Sequence, residues 1–143
     1  MKTALLALGL IFLCSTNVFA ESLLTKVTVI VASNQGNDID LENDDYRDQI
    51  IKLFSYTSYK QTNQYSISLE EGKQQAVSLG DSYELNVTLY KKANDRNVLR
   101  VLIQKEGNTH LNTELSLSGK GPVFLGGPPA NSGDLLLVIE PLS

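Results

Sequence analysis

The sequence predicts a mainly β (α+β) fold, an antiparallel β-sandwich of seven or eight strands with one short helix near the start of the mature chain. Three observations predict it. From Lys26 onward, apolar and polar residues alternate with a period of two in one segment after another. These segments recur roughly every 8–12 residues, separated by Gly-, Asn- and Asp-rich turns. A single stretch, at about 45–55, changes to helical spacing.

Taken in order, Lys26 to Ala32 is rich in β-branched residues, and Val27, Val29 and Val31 share one face. Ser33 to Asp45 is a polar, acidic loop. Tyr46, Ile50, Leu53 and Phe54 then recur at helical spacing with Ile51 beside them. Asp44 or Asp45 supplies the cap, and Asp48 puts negative charge in the first turn, which the helix dipole favours. Tyr65, Ile67 and Leu69 alternate with serines and Glu70, and Glu71-Gly72-Lys73 turns the chain. Val77 and Leu79 precede a second turn at Gly80-Asp81-Ser82.

The cleanest alternation is Tyr83, Leu85, Val87 and Leu89. After a loop at Asn94–Asn97, Leu99, Val101 and Ile103 alternate, although Val98 and Leu102 make their other face partly apolar. Gly107-Asn108 signals a tight turn. Leu111, Thr113, Leu115 and Leu117 form the next strand face, and Gly119 to Pro122 turns into a short strand at Val123–Leu125. Gly126 to Asp134 is the longest loop of this half, with Gly126-Gly127-Pro128-Pro129 as a hairpin turn. Leu135 to Ile139 is wholly apolar, as expected of a strand covered on both faces.

Residues 1–20 have the pattern of a cleavable secretory signal: Lys2 near the start, an apolar run from Ala4 to Cys14, and Val18 and Ala20 at the positions signal peptidase reads. The run falls short of the about 20 apolar residues that span a bilayer. A lipoprotein cut before Cys14 fits less well, because Leu13 is not small and lies inside the apolar run. Cleavage after Ala20 removes 20 of 143 residues, leaving 123 as one exported domain, periplasmic or extracellular. There is no candidate membrane span after cleavage.

Charge and cysteine content narrow the function classes. Losing Lys2 takes the formal charge from −4 to −5, and an acidic chain has no electrostatic reason to hold nucleic acid or anionic lipid. The one cysteine, Cys14, leaves with the signal, so disulfides, thiol catalysis and Cys-based zinc or iron–sulfur sites are excluded from the mature chain. No cofactor motif is present.

Asp38, Asp40, Glu42 and Asp44 alternate along the acidic loop, and carboxylates so spaced suit Ca²⁺. The loop departs from an EF-hand: it lacks the Gly at its sixth place, and Gln49 stands where the bidentate Glu belongs. A solvated loop with Ile39 and Leu41 packed beneath it is the simpler expectation. His110, the single histidine, has no Gly-x-Ser-x-Gly elbow to serve as base for, and reads as an exposed residue near a turn. The carboxylate pairs Glu70-Glu71 and Asp44-Asp45 lack any cleft signal, and Gly126-Gly127 lacks the Lys of a phosphate loop. Asn86-Val87-Thr88 fits a glycosylation sequon by chance. Tyr56 and Tyr59, just after the helix, are the candidates for an exposed aromatic patch that binds a ligand or partner.

The expected function is therefore a non-enzymatic binding or assembly module of the bacterial cell envelope. It would act through protein–protein contacts, for example within a secretion or pilus system. The alternative is a carbohydrate- or calcium-dependent ligand-binding domain. A small transmembrane barrel fits less well, given the mid-chain helix and the apolar run at 135–139.

Overall fold

A computed structural model describes residues 22–42, 44–93, 96–118, 121–130 and 132–142. The signal-peptide reading of residues 1–20, its Cys14 alternative and parts of the turns at 94–97 and 119–122 lie outside them. Among the described residues the chain forms nine strands and one helix, in two packed sheets. The antiparallel sandwich predicted from the alternation is the fold. The ninth strand is a two-residue piece, Ile39–Asp40, inside the segment expected to be loop only.

The first sheet is built around β1 (Leu23–Ser33), which pairs antiparallel with both β3 (Ser58–Leu69) and β9 (Gly133–Pro141). β2 (Ile39–Asp40) adds in parallel to the start of β3, and β8 (Val123–Ala130) closes the far side against β9. The order is β2-β3-β1-β9-β8. The second sheet is a meander of β4 (Gln74–Gly80), β5 (Tyr83–Ala93), β6 (Arg96–Lys105) and β7 (Asn108–Ser118). Its tight turns take the chain through left-handed backbone. Asp81 and Ser82 have φ of 53° and 64°, and Glu106 and Gly107 have 51° and 81°. Positive φ at both central residues matches the twist of the flanking strands. The β6–β7 turn is thus Glu106-Gly107, one residue before the expected Gly107-Asn108.

Alternation decides what goes inside. Val27 and Val29 of β1, Leu85, Val87 and Leu89 of β5, Leu99, Val101 and Ile103 of β6, and Leu135, Leu137 and Ile139 of β9 fill the space between the sheets, all essentially without solvent contact. Two tyrosine hydroxyls cross between the sheets at its margins. Tyr65 donates to the Ser78 carbonyl at 2.7 Å and Tyr83 to the Pro129 carbonyl at 2.8 Å.

β1 and β9 are apolar on their other face as well, because the helix lies there. α1 (Asp44–Leu53) sets Tyr46 and Ile50, with Phe54 beyond its end, against Ile30, Ala32, Tyr59, Leu136 and Val138. The spacing of four gives a narrower stripe than expected, and Ile51 and Leu53 are exposed. Leu135–Ile139 is buried throughout, as its unbroken apolar run predicted. The helix ends where Phe54 N–H donates to Ile50 O at 2.9 Å, with Lys52 in its last turn favoured by the dipole. The expected cap by Asp44 or Asp45 rests on side chains outside the described set.

The segment Gly126–Pro129 is not a hairpin turn. It belongs to β8, which shifts register between Gly126 and Pro129 and stays paired with β9 as far as Ala130 opposite Gly133. Two consecutive prolines are tolerated because β8 is an edge strand and its register shift interrupts the ladder at this point. β3 likewise begins at Ser58, well before Tyr65, because β1 is long enough to pair with it as far as Ser33.

Candidate functional site

The acidic loop is a strap tied to β3 through its backbone. Tyr59 N–H and the Ser58 hydroxyl donate to the Asp38 carbonyl at 2.9 and 3.0 Å, and the Thr57 hydroxyl donates to the Gly36 carbonyl at 2.7 Å. Glu42 N–H reaches the Gln61 side-chain carbonyl at 3.3 Å. Ile39 and Leu41 turn inward against the helix cluster, while Asp38, Asp40 and Glu42 stay exposed. Among the described residues no three His, Cys, Asp or Glu side chains come close enough to hold a metal ion. Asp44 begins the helix, and its side chain lies outside the described set.

The expected aromatic patch at Tyr56 and Tyr59 is not exposed. Tyr59 is 1% accessible, because its ring fills the space between the helix and β1. Its hydroxyl donates to the Phe54 carbonyl at 2.9 Å and accepts from Tyr56 N–H at 3.2 Å, pinning the chain as it leaves the helix. Tyr56 is half-buried, edge-on to Tyr59 with ring centroids 6.1 Å apart. Its hydroxyl donates to the Asp134 carboxylate. That hydrogen bond, with burial and the Asp134 charge, holds the Tyr56 phenol above its usual value of 10.0. The tyrosine that faces solvent is Tyr90, 52% accessible, on the outer face of the second sheet with Arg100 over its ring at 5.0 Å.

His110 is exposed, as expected, and occupies an extra position where the β6–β7 pairing shifts. Its ring stands edge-on to Tyr83, centroids 5.2 Å apart. Near Tyr56, a 340 Å³ cleft opens between the end of β1 and the β8–β9 turn, lined among others by Asn34, Gln35, Ser132 and Asp134.

The feature that most resembles a recognition surface is a sheet edge, which no local motif announced. Four strands border the two sheets. β8 carries Pro128, Pro129 and a register shift, all of which spoil an edge for pairing. β2 covers β3 only at Tyr59 and Lys60, so β3 is bare beyond, but a strand added there would run into β2. β4 pairs regularly only from Gln74 to Ser78 before its register shifts. β7 pairs with β6 without a break from Leu111 to Ser118, and among the described residues no strand lies on its other side. Between Leu111 and Leu117 it contains no proline, glycine or lysine, and Glu114 is its single charge. Among the described residues it is the longest regular edge that nothing guards.

Known proteins offer no guide to this surface: no family model, no curated protein and no solved structure matches the chain.

Proposed function

We propose that this chain is an exported, non-enzymatic binding or assembly module of the bacterial cell envelope, and that it makes its protein–protein contacts along the free edge of β7. The observation that carries this is the unbroken, unguarded backbone from Leu111 to Ser118. Each outward N–H and C=O of such an edge seeks a partner, and an extended segment of another chain supplies them by adding a strand. Leu111 and Leu115, half-buried at the rim of the core, offer apolar surface that an added strand would cover. The signal pattern of residues 1–20 supports placement outside the cytoplasm.

A photo-cross-linking residue placed at position 112 in the exported protein tests this in cells. Adducts are expected from position 112, and none from position 47 on the exposed side of the helix. Absence of adducts from β7, or the same adducts from both positions, would count against the proposal.

The cleft beside Tyr56 favours one second reading, a site for a small polar ligand such as a sugar. Binding on a glycan array that is abolished by Asp134→Ala would support it. An array with no signal would remove it.

A further inference from the structure

We infer that the strand which completes the β7 edge is β7 of a second copy of this chain, paired antiparallel about a two-fold axis at Thr113. This rests on the open-edge reading above and names its partner.

A two-fold edge pairing must keep inward residues opposite inward ones, since a slip of one residue would turn the apolar face to solvent. Leu111, Leu115 and Leu117 point to the core side, and Asn112, Glu114 and Ser116 point outward. The face rule leaves registers that differ by steps of two. The bulge at His110 confines regular pairing to Leu111–Ser118, and among its registers one puts Thr113 on the axis. That register places Leu111 opposite Leu115 of the second copy, Thr113 opposite itself, and Asn112 opposite Glu114. Apolar meets apolar, hydroxyl meets hydroxyl, and an amide donor meets a carboxylate, each a favourable cross-strand pair. The next register centres on Glu114 and sets two carboxylates face to face. Centring on Leu115 sets Leu117 opposite Thr113, an apolar side chain against a hydroxyl. The register centred on Thr113 is therefore the one in which every cross-strand pair is complementary. The product is one eight-stranded sheet, with the outer faces of both copies, including Tyr90 and Arg100, on one side.

Because Cys14 is the chain's one cysteine and falls in the predicted signal, an introduced cysteine in the mature protein reports on contact without interference. The mature chain is predicted to be a dimer by light scattering, and Thr113→Cys is predicted to form an intermolecular disulfide under mild oxidation while Asn112→Cys does not. Asn112→Glu faces Glu114 twice across the axis and should raise the dimer Kd roughly fivefold. Asn112→Lys should lower it by a similar factor. Both changes are at an exposed position, so their circular dichroism spectra should match the parent. A monomer at high micromolar concentration, or a disulfide from Leu115→Cys but not Thr113→Cys, overturns the inference. Cross-links from position 112 to a different polypeptide, with the chain itself monomeric, overturn it while leaving the open-edge function standing. Silence at position 112 overturns both.

Discussion

Replacing Tyr59 with Phe removes one oxygen atom from the structure and tests how the helix is held. The ring is 1% accessible and its packing against Ile30, Ala32 and Ile50 is preserved by Phe. The hydroxyl makes two hydrogen bonds, to the Phe54 carbonyl at 2.9 Å and from Tyr56 N–H at 3.2 Å. Each neutral bond contributes about 1 kcal/mol, and the two backbone groups left behind sit under partly buried side chains where water replaces the hydroxyl poorly. The expected loss is about 2 kcal/mol. For a domain of this size that lowers Tm by about 8 °C. It also lowers the urea midpoint by about 1 M, with the m-value unchanged because the same surface is exposed on unfolding. Tyr59→Ala, which also empties the cavity, should cost about 3–5 kcal/mol. Urea titrations of the mature wild-type, Phe and Ala proteins measure all three. If Tyr59→Phe lies within about 0.5 kcal/mol of wild type while Tyr59→Ala is strongly destabilised, the hydroxyl does not pin the helix exit and the ring alone holds it.

Three further outcomes follow from other parts of the molecule. The hydrogen bond to Asp134 raises the Tyr56 phenol, so the folded chain keeps that proton to higher pH than the unfolded chain does. The stabilisation is complete below 10.0 and is lost as pH rises through the raised folded value; Asp134→Ala should flatten that alkaline loss, as read from urea midpoints between about pH 9 and 12. Gly133→Ala would drive a Cβ into the backbone carbonyl of Ala32, where neither strand can yield, so a loss of about 3 kcal/mol or more is expected by thermal melting. Asn86 is 3% accessible on the outer face of the second sheet, with its side-chain oxygen unpartnered between Ala76 and Leu102. Asn86→Val should therefore stabilise the chain by about 1 kcal/mol, and a lower midpoint would show that the amide is satisfied in solution.

Most of the fold was legible because burial writes itself into local periodicity. Val27 and Val29, then Leu85 to Leu89, then Leu99 to Ile103 alternate because each strand has one face on the common core. Leu135–Ile139 breaks the alternation for an equally physical reason: the helix covers its second face. What local pattern concealed lies where topology overrides it. Residues 60–64 are polar throughout, yet they form strand because β1 offers this stretch a partner as far as Ser33. Gly126 to Pro129 has turn composition, yet the edge position of β8 lets it continue the ladder through a bulge. The Tyr56–Tyr59 spacing after a helix looked like a surface patch. The strap at 38–40 and the body of α1 instead close over Tyr59, an enclosure that depends on residues far from it in sequence order.

The β7 edge was invisible for a related reason, and the comparison with β5 makes the point. Leu111-Asn112-Thr113-Glu114-Leu115 and Leu85-Asn86-Val87-Thr88-Leu89 follow the same alternation, with an asparagine second in each. Read locally, the two strands are interchangeable. In the sheet order β4-β5-β6-β7, however, β5 has a neighbour on each side and β7 has one. The burial of the two asparagines records the difference: Asn86 is enclosed by strands on both flanks, whereas Asn112 remains exposed. An edge is therefore a property of strand order, and strand order is set by which chain segments cross between the sheets. Only once that order is known does the absence of proline, glycine and lysine from Leu111 to Leu117 acquire meaning. In a central strand it is unremarked, and in a free edge strand it leaves a hydrogen-bonding template uncovered. A second copy in register would give Asn112 the enclosure Asn86 already has, with Glu114 of that copy as its hydrogen-bond acceptor. Protection of Asn112, absent in dilute monomer and present in concentrated protein, is thus the direct signature of the edge being filled by its own kind.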